Sequence, residues 1–173
     1  MMDSVSLLGQ QIRSAHEVVE STVADLTAEQ AKWNPAGKAI AAGPLYVHVS
    51  AAEDLFLNMV VGRQPLAMGA YAGKTGVSEA YPMQGGYDEW AKRVEIDLPQ
   101  LREYVQAVFK NTEDYVAGLT AEGLDKEIDL TSAGLGKMSL GAFITMTSVI
   151  HPSNHIGEIS CLKGLQGAKG YPF

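Results

Sequence analysis

The residues best suited to chemistry in this sequence are three of its four histidines, His48, His151 and His155. The last two form a His-x-x-x-His pair, and on a helix this spacing puts both imidazoles on one face, about one turn apart. Ile144 and Leu162 fall near the same line, so that face is expected to point into the core. His48 lies far upstream on another apolar helical face. Three inward-facing histidines are more than packing requires.

Three neutral imidazoles that face one point form a suitable site for a divalent ion, with zinc or nickel the first candidates. Three protein ligands leave at least one coordination position open to water or substrate, as in catalytic rather than structural metal sites. An ion there would lower the pKa of a coordinated water or thiol and so supply a nucleophile at neutral pH. The alternative is that each histidine hydrogen-bonds a backbone carbonyl and no metal binds.

Four long segments with helical periodicity must position these histidines. The predicted bounds are about 3–25 for helix 1, 43–61 for helix 2, 97–119 for helix 3 and 139–165 for helix 4. Asp97 and Pro99 are typical of the cap and the first turn of a helix. A small hairpin is predicted over residues 128–138. His48 thus falls on helix 2, and the histidine pair falls on helix 4.

Residues 62 to about 86 interrupt the helical pattern with glycines, prolines and tyrosines. A connection of that length is uncommon in a compact domain and is often functional. We interpret it as a crossover between helices 2 and 3 of an all-α four-helix bundle. Tyr71, Tyr81, Tyr87 and Trp90 are candidates to roof a pocket at the metal end, whereas ordinary packing is the stronger interpretation for Trp33.

Three other polar residues are expected to lie outside the metal site. Glu53 is about 140° around helix 2 from the histidine and is expected at the surface or beside the capping loop. His16 is expected as a boundary histidine beside the apolar stripe of helix 1, rather than as an outer partner of the site. Cys161 is about 120° from the direction of the second histidine of the pair and is expected to be a small core residue.

Length and composition fit a single globular domain over residues 1–173. The 13 basic and 20 acidic residues give a formal net charge of −7, without a cluster of lysine or arginine, so binding to nucleic acid or to an anionic membrane is disfavoured. One cysteine excludes an internal disulfide. The first residues do not resemble a signal peptide, and no apolar run approaches the roughly 20 residues of a spanning helix. We therefore expect a cytoplasmic protein.

The order and spacing of these motifs resemble those of the DinB/YfiT-like proteins, over nearly the whole chain. The residues that carry the resemblance are Leu26-Thr27-x-x-Gln30-x-x-Trp33-x-Pro35, then His48 and Glu53, and finally His151-x-x-x-His155-x-Gly157-Glu158-Ile159. The resemblance implies a four-helix bundle with a crossover between helices 2 and 3. It also implies that His48, His151 and His155 bind a divalent metal ion.

The resemblance implies classes of activity as well. Characterised members include S-transferases that use small thiols such as bacillithiol or mycothiol, and maleylpyruvate isomerases, and many look like homodimers. The leading hypothesis is a metal-dependent enzyme that acts on a small molecule, with a small thiol as cosubstrate or, in a hydrolytic version, with Glu158 as proton acceptor. The alternatives are a non-catalytic, metal-stabilised binding or dimerisation module, and a helical interaction protein without metal.

Two residues depart from the family pattern or from regular helix geometry. Glu158 stands where many relatives have glutamine, and it is expected either to orient a metal ligand or to be an ordinary exposed residue. Pro152 lies inside helix 4, directly after His151, where it removes a backbone donor and crowds the preceding turn. A kink or π-bulge is therefore predicted there. It would either aim His151 at the metal or spoil the geometry of the pair.

Overall fold

Helices dominate the structure, a computed structural model that describes residues 2–173. Four of them form the bundle, and two of these four contain a π-helical stretch. Helix 1 is Ser4–Val23, and helix 3 is Leu98–Ala117. Helix 2 consists of Ala42–Ala51, the π-helical Ala52–Leu57 and Asn58–Val60. Helix 4 consists of Leu140–Thr145, the π-helical Met146–Ile150 and His151–Leu165.

Short elements fill the connections between the bundle helices. The α-helical ones are Ala28–Lys32, Tyr87–Arg93 and Ala121–Asp125. The 3-10 turns are Leu66–Met68 and Thr131–Ala133. The antiparallel strands are Glu127–Leu130 and Gly136–Ser139. The strands confirm the predicted hairpin, and the four long helices with the crossover after helix 2 confirm the predicted fold class.

Side-chain caps explain where three of the bundle helices begin. Asp3, Asp97 and Ser139 precede helices 1, 3 and 4, and each accepts a hydrogen bond from the backbone N–H three residues on. Such a cap contributes about 1 kcal/mol because it satisfies a backbone donor that the helix leaves free. Helix 2 has no side-chain cap, but Pro44 in its first turn needs no backbone partner there.

Helix 2 is covered on nearly every side. It packs against helices 3 and 4, and residues of the crossover pack against its remaining surface. All but one of the residues of Ala42–Ala51 are buried, the exception being the half-buried His48. A helix that is apolar all round needs such cover. Consequently, a side chain that points away from His48 on this helix still points into the protein.

Asp54 fastens the crossover to the bundle. Its buried carboxylate accepts hydrogen bonds from the backbone N–H groups of Leu66 and Ala67 and from the Tyr104 hydroxyl of helix 3. Further along, Gly76 has a φ of +77°, and a Cβ at that position would lie 2.3 Å from the backbone nitrogen of Leu101. Only glycine permits this approach. The crossover is thereby held against the start of helix 3 before it reaches the histidines.

A buried polar cluster crosses the bundle from helix 1. His16, which is 3% exposed, places Nε2 at 3.0 Å from Glu53 Oε1 and Nδ1 at 2.7 Å from Glu113 Oε1. Its ring stacks on Phe109 with centroids 3.8 Å apart. Glu53 is 0% exposed. The predicted surface position of Glu53 and the predicted boundary position of His16 are therefore both wrong, because helix 2 is enclosed on the side that faces helix 1.

The predicted core position of Cys161 is also wrong. The thiol is exposed, while its neighbours Ser160 and Leu162 take the inward positions on helix 4. A smaller part of the circumference is therefore buried in this part of helix 4 than in helix 2. None of the helices within residues 2–173 combines the length and apolar character needed to cross a bilayer.

Candidate metal centre

The backbone of helix 4 changes just before the histidine pair. The π-helical stretch Met146–Ile150 ends immediately ahead of His151 and Pro152, which confirms the predicted π-bulge. A proline has no backbone N–H to place in the i→i−4 ladder, and the widened turn accommodates that loss. Regular α-helix resumes at His151, so the pair keeps its one-turn spacing, with the rings of His151 and His155 at 4.5 Å between centroids. Pro152 does not spoil the pair.

The three histidines of helices 2 and 4 come together at one point. His48 Nε2 lies 3.0 Å from His151 Nε2, and the rings of His48 and His155 have centroids 4.7 Å apart. One ring nitrogen from each residue can be chosen such that all three lie within 4.8 Å of one another. In residues 2–173, no cysteine, aspartate or glutamate joins this group.

This donor set fits a divalent metal ion. Zinc–imidazole distances of about 2.0–2.1 Å in a tetrahedral site put neighbouring nitrogens roughly 3.3–3.4 Å apart, within a few tenths of an ångström of the 3.0 Å between His48 and His151. Burial and the neighbouring His155 lower the pKa of His48 to about 4. Burial and both neighbouring histidines lower the pKa of His151 to about 3. Both imidazoles are therefore neutral at pH 7 and have lone pairs for a metal.

Outer hydrogen bonds occupy the Nδ1 atoms of two of the three rings. His48 Nδ1 lies 2.6 Å from the Tyr81 hydroxyl, and His155 Nδ1 lies 2.8 Å from Glu158 Oε2. Nε2 of each ring is thereby left free to bind a shared ion, as in the carboxylate–histidine–metal arrangement. The geometry of Glu158 fits an orienting residue, although its side chain is 57% exposed. A catalytic role for Glu158 stays a prediction.

Aromatic side chains roof the histidines on the crossover side. Tyr87 lies 5.1 Å from His48 between ring centroids, and its hydroxyl donates to the carbonyl of Pro44. Trp90 is buried against the rings of both Tyr81 and Tyr87. Burial raises the pKa of Tyr81 to about 12, so its hydroxyl stays protonated. These three rings are among those predicted to form a roof.

The other two aromatic candidates lie elsewhere. Tyr71 packs against Tyr104, with ring centroids 5.6 Å apart, and Trp33 packs against the main apolar core, as expected. Sequence reasoning placed Tyr81 in the pocket wall but missed its hydrogen bond to His48. The crossover has no periodic pattern, so no sequence spacing indicated that contact.

A cavity of about 380 Å³ opens beside His48 and His151. Its other lining residues come from helices 2 and 4 and from the crossover: Ala51, Ala52, Phe56, Tyr81, Pro82, Met83, Met146 and Thr147. A second cavity of about 290 Å³ lies between helix 2 and the crossover. Ala51, Tyr81 and Met83 line both cavities and so form their common wall. The histidine cluster therefore adjoins a mostly apolar chamber.

The contact between Glu158 and His155 predicts a moderate effect on metal binding. Glu158→Gln keeps the shape but replaces an ionised acceptor with a neutral one, so zinc affinity is expected to fall about tenfold, at the low end for outer partners of metal ligands. Competition with a chromophoric chelator measures this change. Glu122→Gln, at an exposed position of a short helix, is the control and should bind zinc as the unmodified protein does. Equal affinities in all three proteins would contradict an orienting role.

Comparisons with known proteins agree with this architecture. The chain is similar to a conserved protein from Enterococcus faecalis of known crystal structure, with a TM-score of 0.75 and 20% sequence identity, over 95% of this chain and 99% of that one. This likeness shows a shared fold. No curated protein sequence matches the chain. The profile of the DinB superfamily matches residues 11–159, a range that includes all three clustered histidines, and the chain therefore belongs to the DinB superfamily.

Proposed function

We propose that the protein is a divalent-metal-dependent enzyme that acts on a small molecule at His48, His151 and His155. The observation that carries this proposal is the convergence of three imidazoles, two of them lining an apolar cavity, without a fourth histidine, cysteine or carboxylate in the group within residues 2–173. A structural site is normally closed by four protein ligands, whereas a catalytic one leaves a position for the reactant.

In the proposed enzyme, the ion activates a thiol or water, and the residues of the chain position the ligands and the second reactant. A divalent ion on three imidazoles lowers the pKa of a thiol or water that takes a remaining position. The residues of the chain hold the imidazoles in place, through Tyr81 at His48 and Glu158 at His155. The apolar chamber beside His48 and His151 holds the second reactant. Zinc and nickel both suit imidazole ligands.

The reaction we propose is transfer of a small thiol to an electrophile. The thiol sulfur forms a bond to an electrophilic carbon, the bond from that carbon to its leaving group breaks with its electron pair, and the thiol proton passes to solvent. The choice of a thiol rests on the family and not on the geometry. A hydrolytic version uses water in place of the thiol, with Glu158 as the proton acceptor.

Turnover by metal-loaded protein tests the proposal. Protein purified without a polyhistidine tag is loaded with zinc or with nickel and assayed with cysteine, bacillithiol or mycothiol against a chloronitrobenzene, and with water against simple aryl esters. We expect turnover above the uncatalysed rate with at least one pair, and none in a variant in which all three clustered histidines are alanine. The variant removes all three proposed ligands and leaves the other lining residues of the cavity unchanged.

Absence of turnover with every pair would contradict the enzyme proposal. If the protein then still binds one ion and melts at a lower temperature without it, the metal-stabilised binding module becomes the better explanation, because a ligand of the native state stabilises it by mass action. Protein that binds no ion would favour a helical interaction protein. The homodimer and the lack of a nucleic-acid partner stay predictions.

A further inference from the structure

Tyr81 connects the histidine cluster to the cavity. Its hydroxyl lies 2.6 Å from His48 Nδ1, and its side chain lines both the 380 Å³ and the 290 Å³ cavities. Among residues 2–173, His48 is the sole hydrogen-bond partner of this hydroxyl. A phenol hydroxyl can donate one hydrogen bond and accept others at the same time. With His48 as its single partner, the Tyr81 hydroxyl therefore keeps part of its hydrogen-bonding capacity unused.

The direction of the hydrogen bond between Tyr81 and His48 follows from the role of the other ring nitrogen. A neutral imidazole that offers its Nε2 lone pair to an ion carries its proton on Nδ1. Nδ1 then donates, and the Tyr81 oxygen accepts. The hydroxyl hydrogen of Tyr81 is left without a protein acceptor and can be donated to a molecule in the adjoining cavity.

The cavity wall offers little else for recognition. Phe56, Pro82, Met83 and Met146 supply apolar surface, and no lysine, arginine, aspartate or glutamate among residues 2–173 lines this chamber. Thr147 already donates its hydroxyl hydrogen to a backbone carbonyl of its own helix. The volume of this cavity, about 380 Å³, is near the lower end of the roughly 300–1,000 Å³ that small-molecule pockets occupy. A compact, mostly apolar ligand fits this chamber best.

We infer that Tyr81 has two roles: it positions His48, and it donates the hydrogen bond that selects the electrophile. The substrate class is a compact, mostly apolar electrophile that carries a leaving group and one oxygen acceptor, such as a carbonyl or an ether. This inference rests on the proposed function, because the freed hydroxyl hydrogen depends on His48 acting as a metal ligand. It adds to that function a named substrate class and a residue that recognises it.

A matched pair of probes tests the inference without any turnover. Acetophenone and ethylbenzene are similar in size and shape, but acetophenone alone has an oxygen acceptor. Their affinities are measured by NMR titration of the zinc-loaded protein. In Tyr81→Phe, the preference for acetophenone over ethylbenzene is expected to fall roughly fivefold, the effect of one lost hydrogen bond. Comparing the ratio between proteins cancels the different hydrophobicities of the probes.

Tyr87→Phe is the control, because the Tyr87 ring also packs beside His48 but its hydroxyl bonds to the carbonyl of Pro44. Its probe ratio is expected to match that of the unmodified protein. Two measurements report the positioning role. Zinc affinity should fall roughly tenfold in Tyr81→Phe, and nitrogen-15 spectra of the unmodified zinc-loaded protein should show His48 protonated on Nδ1. The second needs no variant and holds even if Tyr81→Phe folds poorly.

The outcomes separate this inference from the proposed function. If the unmodified protein binds neither zinc nor nickel, the proposed function fails and this inference fails with it. If zinc binds tightly but Tyr81→Phe keeps the probe ratio, the inference alone is overturned. The same holds if Tyr87→Phe loses the ratio equally, or if His48 carries its proton on Nε2 in the zinc-loaded protein.

Discussion

His151→Ala is expected to lower zinc affinity by on the order of a thousandfold, since a three-imidazole site that loses one ligand loses a large share of its binding free energy. His151 is the most telling choice, because its Nδ1 has no hydrogen-bond partner among the described residues, so the substitution removes a ligand without breaking an outer hydrogen bond. Competition against chelators of graded affinity measures the change. Asn154→Ala, at an exposed position within the same turns of helix 4, is the matched control and should bind zinc normally.

The same variant should lose the stabilisation that zinc provides. Free zinc at 100 times its dissociation constant stabilises a native state that binds it by about 2.7 kcal/mol. The unmodified protein and Asn154→Ala should therefore melt at a higher temperature with zinc than with a chelator, whereas His151→Ala should melt at the same temperature in both. Zinc affinity that survives in His151→Ala would mean that the ion binds elsewhere.

His16→Leu is expected to lower the free energy of unfolding by about 3–5 kcal/mol, the range for breaking a buried ion pair by removing one partner. The Glu53 carboxylate is fully buried, and one of its oxygens already has no partner among the described residues. Without the imidazole, the charge of Glu53 would be left uncompensated. Urea denaturation measures the loss.

A second substitution separates the lost charge from lost packing. His16→Leu with Glu53→Leu removes both buried groups, so most of the stability is expected to return, as for buried pairs replaced by apolar residues. Glu113→Gln should have a smaller effect, because that carboxylate is partly exposed and keeps water. If the double variant is as unstable as His16→Leu alone, cavity formation rather than unpaired charge explains the loss.

This cluster also gives stability a pH dependence of known sign. Burial lowers the pKa of His16, but the Glu53 and Glu113 carboxylates outweigh burial and raise it above its usual value. A raised folded-state pKa contributes stability that is complete below the unfolded value of about 6.5 and is lost as pH rises through the folded value. The free energy of unfolding of the unmodified protein, relative to that of the double leucine variant, should therefore fall as the pH rises above about 6.5.

The features that sequence predicted well depend on neighbours along the chain. The spacing of His151 and His155 fixes their shared face wherever helix 4 lies, because one helical turn determines it. The predicted cap at Asp97 acts over three residues. Even the π-bulge before Pro152 follows from a missing backbone donor nearby. In each case the physical cause and its effect lie within one or two turns.

The features that sequence missed depend on what covers each helix. The apolar stripe of helix 2 alone predicts a surface position for Glu53, but this helix is enclosed on several sides, so a direction away from His48 is interior as well. The pairing of Glu53 with His16 spans 37 residues, and the contact of Tyr81 with His48 spans 33. Neither has a periodic signature, because the packing of separate elements creates both.

The π-helical stretches in helices 2 and 4 pack against each other. The stretch in helix 4 separates a half that packs in the core from a half that contains the histidine pair. Before it, Phe143 and Ile144 fill the core, and after it come the histidines. A π turn holds about one residue more than an α turn, so a single-codon deletion between 146 and 150 would turn this stretch into regular α-helix and leave the two halves in nearly their present orientation. Both the core contacts and the histidine pair would then stay in place, while the missing backbone N–H of Pro152 would fall in a regular α-helical ladder. Sequence length in this stretch is thus less constrained than in a regular helix, and alignments of such chains should permit a one-residue gap there.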